Sequence, residues 1–183
     1  MGESNVHRAL AKLAERLAVL EIPYAIVGGL ALGAYGYVRA TLDVDVLLTE
    51  DGLERFKESC LGRGYLEKVP GSTGMRDTVN KVDIDVVLAG DYPGDGRAKP
   101  VSFPDPGRSA VHGERFALVP LHTLIELKTA SGMTAPHRLR DLADVIELIR
   151  INGLARDFSQ ELAPYVRDKY VELWTAAQSA DGA

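Results

Sequence analysis

The stretch Thr41-Leu42-Asp43-Val44-Asp45-Val46-Leu47-Leu48 decides how this chain reads. Val44, Val46 and Leu48 alternate with Asp43, Asp45 and Leu47, which is the period-two pattern of a strand. Both carboxylates therefore leave one face, neighbours along it at about 7 Å. Like charges side by side in an apolar strand are costly to bury. A divalent cation offsets that repulsion, and hard carboxylate oxygens suit Mg²⁺. Just upstream, Ile22-Pro23-Tyr24-Ala25-Ile26-Val27 reads as a strand, Gly28-Gly29 as a tight turn and Leu30–Tyr35 as a short helix. Two glycines at a strand-to-helix turn let backbone amides approach a phosphate closely.

Outward from this centre the periodicity alternates between helix and strand. Val6, Leu10, Leu13, Leu17 and Leu20 recur every three or four residues and predict an amphipathic helix over about 5–20. Thr49-Glu50-Asp51 offers caps for a second helix through Leu61, ended by Gly62 and Gly64. Tyr65–Val69 and Met75–Thr78 read as short strands around the turn Pro70–Gly74, and Lys81–Leu88 as a further strand. Gly90–Gly107 is rich in Gly and Pro and too long for a mere connection, with Val101–Phe103 expected to be extended. Phe116–Val119 reads as a strand. Three helices are expected next, over about 121–131, 138–151 and 159–178. Leu139, Leu142, Val145, Ile146 and Ile149 form the buried stripe of the second. Leu162, Tyr165, Val166, Tyr170, Leu173 and Trp174 form that of the third, and Ser179–Ala183 are expected to fray. Strands and helices mixed first, then helices alone, point to an α+β chain.

Composition narrows the function classes. The 183 residues, 46% hydrophobic and 26% charged, suit one soluble domain or a small domain with a helical appendage. No apolar run approaches the roughly 18–20 residues of a membrane span. Charges at Glu3, Arg8, Lys12 and Glu15 interrupt any signal-peptide pattern, so a cytoplasmic location and no membrane partner are expected. The net charge of −5 argues against broad duplex binding, which needs clustered Lys and Arg. The single Cys60 excludes an internal disulfide and a multi-cysteine metal site, and it sits among Leu53, Phe56 and Leu61 as a packing residue. His7, His112 and His122 show no metal-ligand spacing, and neither a nucleophile elbow nor a P-loop is present.

Gly28-Gly29-Leu-Ala-Leu followed by Arg39-Ala-Thr41-Leu-Asp43-Val-Asp45 resembles the signature of the DNA polymerase β-like nucleotidyltransferase superfamily. With Arg and Thr ahead of the acid pair, it resembles the AbiEii/MenT-type branch, which includes toxins of toxin–antitoxin systems. The match is specific over 22–48 and looser over 82–90 and 119–147. The resemblance implies a nucleotidyltransferase-type small mixed β-sheet with helices on one side, followed by a helical C-terminal part. It divides the chain into a catalytic core at 1–120 and helices at 121–183 that complete the substrate cleft.

The same resemblance implies Mg²⁺-dependent transfer of an NMP from an NTP to an acceptor oxygen, with two ions. Asp43 and Asp45 would be bridging ligands, and a third carboxylate comes from a neighbouring strand. Lys81-Val-Asp83-Ile-Asp85-Val offers two: Asp85, favoured because it opens the run Asp-Val-Val-Leu-Ala-Gly90, and Asp83. Gly28 and Gly29 would face phosphates. Arg39 reads as a phosphate contact and Thr41 as a hydrogen-bond partner of metal-bound water or a phosphate oxygen, with simple strand-entry roles as the alternative for both. Lys128, on Leu124-Ile-Glu-Leu-Lys-Thr-Ala-Ser, would face the triphosphate as a point charge. Arg138, Asp141 and Asp144 follow in the order the related proteins show. The two acids share a helix face, to hold a Lys or Arg, to activate an acceptor hydroxyl, or simply as surface charges. The acceptor implied is a tRNA, a protein side chain or a small molecule, and an antitoxin is a possible protein partner. The alternative is a non-catalytic relative that binds nucleotide or a partner through the same fold.

Overall fold

The acid-bearing strand sits in the middle of a seven-stranded mixed sheet. The structure, a computed structural model, describes residues 4–179. In chain order the strands are β1 (Ala25–Ile26), β2 (Asp43–Leu48), β3 (Tyr65–Glu67), β4 (Met75–Asp77), β5 (Val82–Leu88), β6 (Val111–His112) and β7 (Ala117–Leu118). The helices are α1 (Asn5–Val19), α2 (Gly28–Ala34), α3 (Glu50–Cys60), α4 (Pro106–Ser109), α5 (Leu121–Thr134), α6 (Leu139–Ile151) and α7 (Pro164–Ser179). The sheet order is β3-β4-β5-β2-β1-β7-β6, with β2 parallel to β5 and antiparallel to β1.

The chain divides into two compact units. The first takes the chain up to Ala31, then Arg39–Ala89 and Pro104–Val119, and holds all seven strands. Here α1 packs on β2 and β5, and its buried stripe is Val6, Ala9, Leu10, Leu13, Ala14 and Leu17. The buried face of those strands is Val44, Val46, Val82, Ile84 and Val86. Burial of about a dozen such side chains, at roughly 1.5–3 kcal/mol each, drives this unit together. Phe56 stands edge-on to Tyr65 with ring centroids 5.1 Å apart, and Lys12 Nζ lies 4.4 Å from the Tyr65 centroid. Cys60 is buried, and burial pushes its thiol above the ordinary value.

The second unit takes Leu32–Val38, Gly90–Phe103 and the chain from Pro120. In it α5 packs on α6 and α7, and α6 on α7. The Gly/Pro-rich segment is an ordered loop: Phe103 donates to the Asp91 carbonyl at 2.9 Å and Gly90 to the Phe103 carbonyl at 2.8 Å.

Prolines move two expected boundaries. α5 runs on to Thr134, because the constraint comes at Ala135, held extended (φ −130, ψ 107) by the following Pro136. The last helix begins at Pro164 rather than near 159, with a 3-10 turn over Arg156–Glu161 before it. Proline fits the first turn of a helix and clashes in its interior. Leu139, expected in a buried stripe, is 63% exposed, and Leu148 is buried instead. Helix α4 and strand β6 were not expected from periodicity, since four and two residues carry none. The expected fraying at Ser179–Ala183 falls, beyond Ser179, outside the described residues. Among the described residues no helix is long and apolar enough to cross a membrane.

One buried acid locks the β4–β5 turn. Asp77 is fully buried and accepts from Lys12 Nζ at 2.6 Å, from the Val79 amide at 2.9 Å and from Asn80 Nδ2 at 2.7 Å. Burial alone would raise its carboxyl, but the hydrogen bonds from Lys12, Asn80 and the backbone outweigh it and hold it below the usual carboxylate value. Asp77→Ala is expected to cost about 3–5 kcal/mol in urea unfolding, because it strips the Lys12 ammonium, the Val79 amide and Asn80 of their shared acceptor. A depressed folded pKa means the contribution is full above the unfolded value of about 4 and is lost as pH falls through the folded value. The stability gap between wild type and Asp77→Ala should therefore narrow in acid.

Candidate active site

Register places the acids. Parallel pairing of β2 with β5 sets Asp43 beside Asp83 and Asp45 beside Asp85. Period-two alternation then puts all four carboxylates on one face of the sheet, opposite the valine face. One carboxylate oxygen each from Asp43, Asp45 and Asp85 lie within 4.8 Å of one another, and all three residues are partly exposed. Asp83 is turned to other partners. Its Oδ1 accepts from Arg76 Nη1 at 2.5 Å, and its Oδ2 lies 3.3 Å from Lys68 Nζ. Burial pushes the Asp83 carboxyl up, and the bonds from Arg76 and Lys68 more than reverse this, holding it below the ordinary value.

Three neighbours shape the acid group. The Thr41 hydroxyl donates to Asp43 Oδ1 at 2.8 Å, so Thr41 orients the first acid. Gly28 has φ +63, and a Cβ there would lie 1.9 Å from Asp45 Oδ2. Only glycine suits both the backbone and the space. A Cβ on Gly29 would lie 3.1 Å from the Thr41 side chain, so the glycine pair lets the turn close on the acid strand. Arg39 is half-buried, two residues ahead of Thr41.

Sequence reasoning did not find Lys68 and Arg76. Arg76 pairs with Asp83 across β4 and β5. One step along the same ladders, Lys68 donates its backbone amide to Gly74, and its Nζ reaches Asp85 Oδ1 at 2.9 Å. The Asp85 hydrogen bond is the foremost influence on the Lys68 ammonium, which is held above its usual value despite some desolvation. The available signal was two basic residues flanking a Pro-Gly turn next to an acidic strand.

Lys128, Asp141 and Asp144 come together inside the second unit. Lys128 Nζ lies 2.8 Å from Asp141 Oδ1 and 2.7 Å from Asp144 Oδ2, and Ser131 Oγ donates to Asp141 Oδ2 at 2.7 Å. The Lys128 side chain is 8% exposed and that of Asp144 1%. Ser131 was not singled out in the sequence, although it lies one turn along α5 from Lys128. Arg138 is exposed at the start of α6 and stands outside this group, as do the exposed His137 and Arg140.

The fold has counterparts among solved structures. The antibiotic-resistance factor ANT(2'')-Ia, solved in complex with adenylyl-2''-tobramycin, is 15% identical; the likeness covers 95% of this chain and 99% of that one, with a TM-score of 0.52. A candidate nucleotidyltransferase from Thermotoga maritima is 17% identical over 62% of this chain and 76% of its own, with a TM-score of 0.46. A tRNA nucleotidyltransferase complexed with a primer tRNA and an incoming ATP analogue is 14% identical over 92% of this chain and 50% of its own, with a TM-score of 0.42. No protein-family model matches the sequence, and no curated protein matches it. The fold is of the nucleotidyltransferase type.

Removing one partner of a buried ion pair leaves the other charge uncompensated. Lys128→Met is therefore expected to lower stability by about 3–5 kcal/mol. Adding Asp141→Asn and Asp144→Asn to it should recover part of that loss, which chemical denaturation of the set measures.

Proposed function

We propose that the protein is a metal-dependent nucleotidyltransferase, which moves an NMP group from an NTP to an acceptor oxygen and releases pyrophosphate. The observation that carries this reading is the convergence of oxygens from Asp43, Asp45 and Asp85 on a partly exposed sheet face in a fold of this type. Three carboxylates form a hard, triply negative donor set of the kind that suits Mg²⁺. Mg²⁺ bound there would neutralise phosphate charge and lower the pKa of an acceptor hydroxyl.

The chain's own residues have separable parts in this reading. The Asp43 carboxylate is oriented by the hydrogen bond it accepts from Thr41. Asp45 keeps its carboxylate over the Gly28 backbone because no side chain stands there. Asp85 contributes the third oxygen, and Asp83, engaged by Arg76, supports the face from beside it. The backbone at Gly28 and Gly29, with Arg39, is assigned to phosphate contact. Lys128, Arg138, Asp141 and Asp144 are assigned to nucleotide binding, with the two acids orienting the Lys128 ammonium. In-line transfer then depends on positioning and electrostatics, with no protein nucleophile. The acceptor is a hydroxyl of a tRNA, a protein or a small molecule. The net charge of −5 weighs against unspecific nucleic-acid binding.

Calorimetry with nonhydrolysable ATP, CTP, GTP and UTP analogues and Mg²⁺ tests the reading. One analogue should bind in a Mg²⁺-dependent way, and Asp43→Asn, Asp45→Asn and Asp85→Asn should each abolish that dependence. Asp83→Asn should keep the Mg²⁺ dependence and weaken affinity by about 10–100-fold, the effect of losing a supporting residue. Folded wild-type protein that binds no analogue would sink the proposal and favour a relative that binds a partner without catalysis. Gly28→Ala should behave like the loss of Asp45, since the added methyl displaces that carboxylate; full retention of binding would separate Gly28 from the site.

A further inference from the structure

We propose that Lys68 is a built-in counter-cation of the acid face, and that a divalent ion at Asp85 competes with the Lys68 ammonium, which gives way toward Asp83. This inference rests on the metal reading of Asp43, Asp45 and Asp85.

The ladders lead Lys68 to this place. β4 lies between β3 and β5, with Glu67 beside Met75 and Met75 beside Ile84. The next row runs Lys68, Gly74, Asp85, Asp45, and the Lys68 amide closes it on the Gly74 carbonyl at 3.0 Å. Any side chain at position 74 would stand between the lysine and the acid. A Cβ there would lie 3.0 Å from Lys68 Cδ and 3.8 Å from Asp85 Oδ1. Glycine leaves the gap through which the four-carbon stem lies across the sheet.

The ammonium has two carboxylates within reach. Nζ lies 2.9 Å from Asp85 Oδ1 and 3.3 Å from Asp83 Oδ2. Asp85 belongs to the three-oxygen cluster, whereas Asp83 does not. Arg76 sits on the other oxygen of Asp83, so Asp83 keeps a cation whether Lys68 leans toward it or away. A short slide thus frees Asp85 without leaving a charge bare. The Lys68 side chain is 35% exposed and that of Asp85 43%, so the exchange needs no opening of the fold. Lysine suits such a task, being a compact point charge on a flexible stem. Lys68 lowers the affinity of the acid face for a free divalent ion and leaves the ion to be bound best together with the polyphosphate.

A purely structural role, pinning the β3–β4 turn to β5, makes the opposite prediction, because exposed ion pairs add little and their loss would only loosen the acids. Titration of the whole protein with Mn²⁺ in the absence of nucleotide, followed by calorimetry, separates the two. Lys68→Met and Lys68→Gln should each bind Mn²⁺ about tenfold more tightly than wild type, since a unit positive charge a few Å from the ion is gone. Lys68→Arg should stay near wild type. Unchanged or weaker binding by both neutral variants, with wild-type melting temperatures, would overturn the proposal while leaving the metal reading intact. Failure of wild type and both variants to bind Mn²⁺ would overturn both. Loss of binding in Asp43→Asn/Asp45→Asn ties the signal to the acid face.

Discussion

The parallel pairing of β2 with β5 is the constraint on which the rest of the first unit depends. Its register sets Asp43 against Asp83 and Asp45 against Asp85, so four carboxylates share one face of adjoining strands. Strands about 4.8 Å apart cannot carry such charge without compensation. The surrounding residues answer that repulsion. Thr41 donates to Asp43, Arg76 and Lys68 take Asp83, and Lys68 also reaches Asp85. The opposite face of the same strands carries the apolar burial that holds the arrangement in place. Val44, Val46, Val82, Ile84 and Val86 are buried, and α1 packs on both strands.

Charge is handled differently in the second unit. Lys128 is nearly buried and meets two acids one helical turn apart on α6, one of them also held by Ser131. On the sheet face the cations are on the rim and partly exposed; here the cation is inside and the anions surround it. A buried pair of this kind adds little net stability but is costly to break. The exposed Arg138, by contrast, is a surface cation at the helix start.

Much of this was legible in the chain itself. The helical repeat of Val6, Leu10, Leu13 and Leu17 and the alternation in β2 and β5 are local patterns, and they appear as elements within a residue or two of where they were expected. The elements that escaped, α4 and β6, are too short to show a period, and the boundaries that escaped lay beside Pro136 and Pro164 and around the glycine pair, where β1 is only Ala25–Ile26 and α2 already begins at Gly28. Leu139 was misplaced because periodicity assigns a face to a helix but not how far along it the neighbouring helix extends. Two acids on one face of a strand also follow from period two alone. Which of Asp83 and Asp85 closes on the β2 pair does not, since both have the right parity.

The α+β class, the acid pair on one face of β2, the two glycines ahead of it and the acid pair on one face of β5 are legible in the chain alone, because each depends on neighbours a few residues apart. Long-range packing is what joins Asp85 to Asp43 and Asp45 and sends Asp83 to Arg76. It alone brought Lys68 across Gly74 to the acid face, and set Lys128 between Asp141 and Asp144. Those choices depend on strand register and on packing between elements distant in sequence. No local periodicity encodes the pairing partner of a strand.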